Sequence, residues 1–135
     1  MSVFVDTSAL FALLDADDAG HALVFPAWSG GLDNGEGFLA TNYVVVETSA
    51  LVQRRLGLDA LRTLVDGLLP MIGTAWVTEA DHAIGQSTLL AAGRRNLSLV
   101  DCVSFVVMRR LGIREYLGLD PHFAEQGFAP YAAAD

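Results

Sequence analysis

Four acidic residues stand where carboxylates could do chemistry: Asp6, Glu47, Asp101 and Asp120. Asp6 directly follows the apolar residues 3–5, which we predict to be a buried strand. A carboxylate just past a core strand lies where open α/β sheets bind their ligands. Asp120 follows a second predicted strand, whereas Glu47 and Asp101 lie on apolar helix stripes, where an unpaired carboxylate is costly to bury. The pattern favours one shared site.

The chemistry that such a group favours is the binding of a hard divalent cation. Mg²⁺ and Mn²⁺ prefer oxygen ligands, and a bound ion lowers the pKa of its water and neutralises charge that develops on phosphorus. The four acids therefore fit metal-dependent phosphodiester hydrolysis better than acyl transfer, for which the chain offers no Ser-His-Asp set. The three histidines show no metal-ligand spacing, and only His122, two residues after Asp120, could reach a substrate.

Each acid also has a simpler structural interpretation. Asp6 and Asp120 could cap helices, and Asp101 could form a capping box with Ser98. Glu47 could pair with an arginine or turn to the surface. Capping and metal binding are compatible, because one carboxylate can brace a helix and face an ion.

The composition predicts one well-packed domain spanning residues 1–135. The chain has 53% hydrophobic residues and a mean hydropathy of +0.41, which indicates strands covered on both faces and a subunit or partner interface. Residues 1–6 do not resemble a signal peptide, and no apolar stretch reaches the roughly 18 residues that a membrane helix needs. The single cysteine, Cys102, is expected in the core. We expect a cytoplasmic protein without membrane contact.

The charge distribution limits how this chain could bind nucleic acid. Its net charge of −8 argues against coating nucleic acid through a general positive field. All eight basic residues are arginines, and six form doublets, at 54–55, 94–95 and 109–110. Arginine side chains match phosphate oxygens bidentately, although solvated helix faces explain each doublet equally well.

The predicted elements alternate along the whole chain. Strands are predicted at 3–5, 38–40, 71–77 and 114–119. Helices are predicted at 7–15, 19–28, 42–56, 58–69, 78–93 and 98–112, with a short helix after Pro121, while the glycine-rich residues 29–37 are predicted to be a loop. This alternation predicts an α/β fold, a three-layer α/β/α sandwich with a central parallel sheet of four to five strands.

The four acids and their neighbours together resemble the PIN domain family. The resemblance rests on residues 5–10, on Glu47 preceded by valines, on residues 97–105 and on residues 119–123, and it covers essentially the whole chain in the expected order. Within the family, the likeness is closest to VapC-type toxins of bacterial and archaeal toxin–antitoxin pairs.

The resemblance implies a ribonuclease that depends on Mg²⁺ or Mn²⁺. Position by position, Asp6, Glu47 and Asp101 match the three core acids, as catalytic residues and metal ligands, and Asp120 matches the more variable fourth. Thr7 and Ser8 fall where the family often has a hydroxyl near the metal, so that one of them orients a ligand or water. The resemblance also implies an RNA substrate, a homodimer and inhibition by a small protein antitoxin.

Two alternatives remain open at this stage. One is a haloacid-dehalogenase-like phosphatase, although that chemistry wants a second aspartate where Ser8 stands and a lysine that the chain lacks. The other is a non-catalytic binding module that keeps the PIN fold, which the presence of all four acids disfavours. The glycine-rich segment 30–37 could be an insertion that shapes access to the site.

Overall fold

The computed structural model describes residues 2–132 and contains one sheet of five parallel strands in the order β3-β2-β1-β4-β5. The strands are β1 (Ser2–Val5), β2 (Gly37–Thr41), β3 (Ile72–Ala75), β4 (Glu115–Leu117) and β5 (Ala129–Pro130). Parallel neighbours need crossover connections, which here contain helices. The predicted parallel α/β sheet is therefore confirmed.

Seven α-helices connect or follow these strands in the part of the chain that the structure describes. They are α1 (Thr7–Leu14), α2 (His21–Asp33), α3 (Asn42–Leu56), α4 (Leu58–Thr63), α5 (Glu79–Ala92), α6 (Leu99–Leu111) and α7 (His122–Glu125). Across residues 2–132, no helix combines the length and apolar character required to cross a membrane.

Helices cover both faces of the sheet. Phe4 of β1 pairs with the residue after Phe38 of β2, so the two rings point to opposite faces. On one face, Phe38 packs against Trp28 of α2, with ring centroids 4.6 Å apart. On the other, Phe4 lies 6.0 Å from Phe123, whose ring is 5.0 Å from Phe105 of α6. Burial on both faces explains the high apolar content.

Capping boxes fix the start of α5 and of α6, and the one at α6 was predicted. Thr78 and Asp81 exchange side chain–backbone hydrogen bonds of 3.0 Å, and Ser98 and Asp101 do the same at 3.0 and 3.1 Å. Each helix ends at a glycine with a left-handed backbone, φ 61° after α5 and 71° after α6. Sequence chemistry therefore placed both helices correctly.

The predicted loop at residues 29–37 is wrong over its first half, because α2 continues to Asp33. A side chain at Gly31 would bring Cβ within 2.5 Å of Phe38 Cζ, so the glycine lets the helix pack closely on the sheet. Only a short turn then leads into β2. Gly31 is therefore part of the core packing, whereas residues 32–35 are exposed.

Two other boundaries differ from the prediction. The helix expected at 58–69 is regular only to Thr63 and continues as a π-helical turn, Leu64–Leu68, and a 3₁₀ turn, Leu69–Met71. Pro70 lies in this last turn and prevents a regular helix from continuing. The two-residue strand β5 was not predicted, since so short a segment carries no periodic signal.

Candidate active site

The acids gather at the point where the sheet reverses its strand order. From β1 the chain proceeds to β2 on one side, while β4 lies on the other side of β1. Ligand crevices of open α/β sheets form at such switch points, outside the carboxyl ends of the strands. Asp6 directly follows β1, and Asp120 lies three residues beyond β4. The Asp6 N–H donates to Leu117 O over 3.0 Å, which fixes the two strand ends together.

Asp6 is a buried N-cap that is held by Ser8. Its side chain is oriented by the Ser8 hydroxyl, which donates to Oδ2 over 2.9 Å, and by the Ser8 N–H at 3.4 Å. The same hydroxyl accepts from Leu119 N–H at 2.8 Å. Thr7 Oγ1 is buried beside them and has no hydrogen-bond partner within residues 2–132. Of the two hydroxyl residues predicted to lie near a metal, Ser8 is the one that hydrogen bonds to Asp6.

The backbone approaches Asp6 closely at Gly118. A Cβ built on Gly118 would lie 3.0 Å from Asp6 Cβ and 3.3 Å from Ser8 Oγ. Such separations are tighter than ordinary van der Waals contact, so a side chain here would displace Asp6 or Ser8. Gly118 therefore allows the loop after β4 to pass directly over the Asp6 carboxylate.

Asp101 and Asp120 approach each other from two different elements. Asp101 lies in the first turn of α6, where the helix dipole favours a carboxylate, and it also completes the Ser98 capping box. Asp120 is half-buried before α7, and its Oδ1 accepts from the His122 N–H over 2.9 Å. One oxygen of each carboxylate and one ring nitrogen of His122 lie within 4.8 Å of one another.

His122 is buried inside this group. Its Nδ1 lies 2.8 Å from Asp120 Oδ1 and 3.8 Å from Asp101 Oδ2. The shorter contact is not directed as a hydrogen bond, and neither ring nitrogen has a hydrogen-bond partner among the described residues. Two carboxylates beside an unpartnered imidazole make a donor set that fits a divalent cation.

Burial and mutual repulsion perturb the buried acids. Burial raises the pKa of Asp6 to about 7; the charges of Asp101 and Asp120 add to this rise, and the Ser8 hydrogen bond opposes it. Burial likewise raises the pKa of Asp101, with Asp120 adding to the shift. The charges of Asp101 and Asp120 therefore both act on the pKa of Asp6. Acids with raised pKa values cluster at functional sites more often than elsewhere.

Glu47 takes no part in these contacts. It lies on α3 with its side chain exposed, and no hydrogen bond or ion pair joins it to another residue in the described range. The neighbouring Thr48 is fully buried, and its Oγ1 has no partner within that same range. The structure therefore brings together Asp6, Asp101 and Asp120, and leaves Glu47 at the surface of a neighbouring helix.

Sequence reasoning gave too little weight to His122 and missed an adjoining groove. The signal for His122 was its position two residues after Asp120, at the start of a helix. The groove has a volume of about 500 Å³ and runs between α2 and the ends of β4 and β5. Mainly apolar side chains line it, with Gly118 linking it to Asp6. Because its walls come from distant parts of the chain, no local pattern indicates it.

Comparisons with known proteins agree with this geometry. A family model for the PIN domain matches residues 3–128. The chain is 32% identical over 127 residues to the 23S rRNA-specific endonuclease VapC20 of Mycobacterium tuberculosis, covering 93% of this chain and 95% of the relative. It is 30% identical over 129 residues to Ribonuclease VapC26 of the same organism, covering 90% of each.

Solved structures show the same likeness. The fold matches the crystal structure of M. tuberculosis VapC20, a Sarcin-Ricin loop cleaving toxin, with a TM-score of 0.85 and 29% identity over 96% of this chain and 98% of that one. FitAcB from Neisseria gonorrhoeae shares the fold, with a TM-score of 0.67 and 16% identity over 98% of both chains. The match over residues 3–128 and these relatives show that the chain belongs to the PIN domain family.

Proposed function

We propose that this chain is a divalent-metal-dependent endoribonuclease and the toxin of a toxin–antitoxin pair. The observation that carries this proposal is the convergence of Asp6, Asp101 and Asp120 at the sheet's switch point. The kinship with VapC20 and VapC26, which are named as RNA-cleaving enzymes, supports the same activity.

We assign each residue of the site a role in binding a metal ion or in orienting its ligands. Asp101 and Asp120 would hold Mg²⁺ or Mn²⁺, and Asp6 completes the negative site from the end of β1. When bound, the ion supplies an acidic water as nucleophile and neutralises charge developing on phosphorus. A nearby cation also favours the ionised form of Asp6. Ser8 orients Asp6, and the unpartnered Thr7 Oγ1 is available to orient a ligand or water.

We assign Glu47 as the remaining acid of the catalytic set. Helix α3 begins directly after β2, which neighbours β1. Glu47 therefore lies about one and a half helical turns beyond the carboxyl ends of the strands, where Asp6 also lies. Its exposure leaves the Glu47 carboxylate accessible to an ion or a water from solvent. The proposed role is to bind an ion or water on the open side of the site.

The proposed substrate is an exposed, unstacked RNA loop. Small sites reach splayed-out nucleotides more readily than paired ones, and 23S rRNA is the first candidate because VapC20 is named for it. Arg94 and Arg95 lie in the segment leading to the Ser98 cap of α6. Arg94 also pairs over 2.9 Å with Glu125 of α7, the short helix that contains His122, and this proximity to α7 supports a role for the doublet in RNA binding. A few phosphate contacts there are compatible with the net charge of −8.

The proposed partners are a protein antitoxin and a second copy of the chain, in the cytoplasm. Exposed apolar side chains support both. Leu58 on α4 is 62% exposed and Val65 in the π-helical turn is 49% exposed, and we assign this surface to the antitoxin. Trp76 after β3 is 71% exposed and Ile84 on α5 is 52% exposed, and we assign this edge to the homodimer. Light scattering of wild type and Trp76→Asp tests the dimer, which the variant should dissociate.

The deciding experiment is an RNA cleavage assay with the purified chain. An oligonucleotide carrying the Sarcin-Ricin loop is incubated with Mg²⁺, with Mn²⁺ or with chelator, using wild type and Asp101→Asn. We expect metal-dependent cleavage in the loop by wild type alone. Cleavage that persists in chelator, or an Asp101→Asn variant as fast as wild type, would overturn the proposal. Total cellular RNA serves as substrate if this loop is resistant.

The phosphatase alternative loses support at Ser8. In that chemistry a second carboxylate would stand at this position, whereas here the Ser8 hydroxyl is occupied by Asp6 and Leu119. The non-catalytic alternative is disfavoured because Asp6, Asp101 and Asp120 are all present, and the charges of Asp101 and Asp120 raise the pKa of Asp6. Neither alternative has an observation of its own in its favour.

A further inference from the structure

His122 presents a buried imidazole whose two nitrogens have no hydrogen-bond partner within residues 2–132. The residue is only 7% exposed. A polar group that loses water without a replacement is unfavourable, so an orphaned pair of ring nitrogens calls for a ligand. The side chain points into the acid group, with Nδ1 located 2.8 Å from Asp120 Oδ1 and 3.8 Å from Asp101 Oδ2.

A hydrogen bond to Asp120 does not account for this placement. The contact between Nδ1 and Oδ1 is short but is not directed as a hydrogen bond, and Oδ1 already accepts the backbone N–H of His122. The other two histidines behave differently. His21 Nδ1 lies 2.7 Å from Ala12 O, and the His82 ring contacts the Tyr43 hydroxyl. His122 is therefore the histidine with an unused lone pair in the site.

We propose that His122 Nδ1 is a ligand of the divalent cation, alongside Asp101 and Asp120. The inference rests on the proposed function for the presence of an ion, and it adds a nitrogen donor to a set of carboxylates. The three donor atoms lie within 4.8 Å of one another. Adjacent ligands of an octahedral ion at about 2.1 Å are separated by about 3 Å, so small side-chain movements bring all three into range.

The local fold holds the imidazole in place for this role. Pro121 is the N-cap of the short helix α7, and the adjacent Phe123 is fully buried against Phe4 and Phe105. The backbone on both sides of His122 is therefore held in place, which limits how far the imidazole can move from the acids. A rigid ligand of this kind lowers the ordering cost of ion binding.

The consequence is a preference for Mn²⁺ over Mg²⁺. Mg²⁺ demands oxygen ligands and retains its waters, whereas first-row transition metals accept imidazole nitrogen and bind more tightly along the series. An oxygen-only site would discriminate less between the two ions. Replacing His122 should thus weaken Mn²⁺ binding more than Mg²⁺ binding.

The test uses the full chain without a histidine tag, with Mn²⁺ alone as the probe. Pulsed electron paramagnetic resonance should detect ¹⁴N coupled directly to Mn²⁺, and the signal should change to that of ¹⁵N when histidine is labelled. Calorimetry should show Mn²⁺ binding at least about tenfold weaker in His122→Gln. The control His82→Gln should keep both the coupling and the affinity.

Each outcome is decisive. Wild-type Mn²⁺ without nitrogen coupling, or coupling that survives in His122→Gln, overturns the inference. If His122→Gln does not fold, the labelled wild-type spectrum decides alone. Asp101→Asn separates the two proposals: loss of Mn²⁺ binding there, without nitrogen coupling in wild type, refutes the His122 ligand and retains the metal site. Wild type that binds no Mn²⁺ refutes both.

Discussion

The Ser8 hydroxyl is hydrogen bonded to the Asp6 carboxylate, donating to Oδ2 over 2.9 Å. It also accepts from Leu119 N–H at 2.8 Å, one residue before Asp120. A single side chain therefore ties the end of β1 to the loop that carries the next acid. The separation of Asp6 and Asp120 depends on Ser8 as much as on the strands themselves.

Ser8→Ala should slow RNA cleavage by about one to two orders of magnitude, as expected for loss of a group that orients a metal ligand. The substitution removes a hydrogen bond to a buried carboxylate and leaves Leu119 N–H without its partner, so the free energy of unfolding should also fall by about 1 kcal/mol. Cleavage rates and urea denaturation measure the two effects. Ser87→Ala, at an exposed position on α5, is the control. An unchanged cleavage rate in Ser8→Ala would show that Ser8 does not orient Asp6 for catalysis.

The fold was predictable because its signals are local. The capping boxes at Ser98 and Thr78 fix two helix starts, and apolar runs mark the three longest strands. The predictions that were wrong concern features that depend on distant contacts. Gly31 was predicted in a loop because the sequence does not show that it packs against Phe38. Strand β5 fails for a related reason, since only its pairing with β4 makes two residues a strand.

The sequence predicted that four acids share one site, and the structure brings Asp6, Asp101 and Asp120 together without Glu47. Asp6 and Asp120 follow strands, and the rule for parallel sheets brings such residues to one edge. The unpartnered state of His122 could not be predicted, because it depends on the angle at which α7 meets Asp101 and Asp120. The sequence left open whether Glu47 is buried or exposed, since its apolar neighbours do not indicate which side of α3 meets the core.

A matched pair of buried aspartates separates structural from catalytic roles. Asp81 and Asp101 each close a capping box, and they are 2% and 8% exposed. Asp81 accepts two hydrogen bonds from Arg110, at 2.8 and 3.0 Å, which lower its pKa, whereas Asp101 faces other acids. Asp81→Asn should lower the free energy of unfolding by about 1–2 kcal/mol and leave cleavage nearly intact.

Asp101→Asn should affect cleavage rather than stability, in contrast to Asp81→Asn. It should abolish detectable cleavage, because a ligand charge is lost, while stability without metal holds or rises, because a repelling charge is removed. Denaturant melts and cleavage rates of both variants give the comparison. Loss of activity in Asp81→Asn with retained activity in Asp101→Asn would place the site elsewhere.

Glu47→Gln should reduce cleavage by at least about tenfold with little change in stability, since the side chain is exposed and makes no hydrogen bond or ion pair within residues 2–132. Glu115→Gln is the control, because Glu115 lies at the amino end of β4, away from the carboxyl ends where the acids lie. Rates measured over a range of Mn²⁺ concentrations show whether excess ion rescues Glu47→Gln. Equal activity of the two variants would exclude Glu47 from the catalytic set.

Arg95→Ala should weaken RNA binding and reduce its dependence on salt, because one phosphate contact is lost. Arg114→Ala is the control, because Arg114 precedes the amino end of β4, away from the carboxyl ends where the acids lie. Fluorescence anisotropy with a labelled loop RNA at several salt concentrations measures both, using the Asp101→Asn background to prevent cleavage. We expect Arg95→Ala to lower the slope of log affinity against log salt by about 1, and Arg114→Ala to leave it unchanged.

The raised pKa of Asp6 gives the metal-free protein a defined pH dependence. Burial brings this pKa from the ordinary 3.8 to about 7, and Asp101 shifts in the same direction. A carboxyl with a raised pKa binds more protons in the folded state, so its stabilising contribution is complete below about pH 4. That contribution is lost as the pH rises towards 7.

In chelator, the melting temperature should therefore fall between pH 4 and 7, and Asp6→Asn should flatten this fall. Divalent metal binds the ionised native group, so millimolar Mn²⁺ should restore the melting temperature at pH 7 in wild type and much less in Asp6→Asn. Thermal melts at several pH values, with Mn²⁺ and with chelator, measure both effects. Asp17→Asn, in the exposed turn after α1, is the control and should follow wild type. An Mn²⁺ shift that is equal in wild type and Asp6→Asn would show that the ion binds away from Asp6.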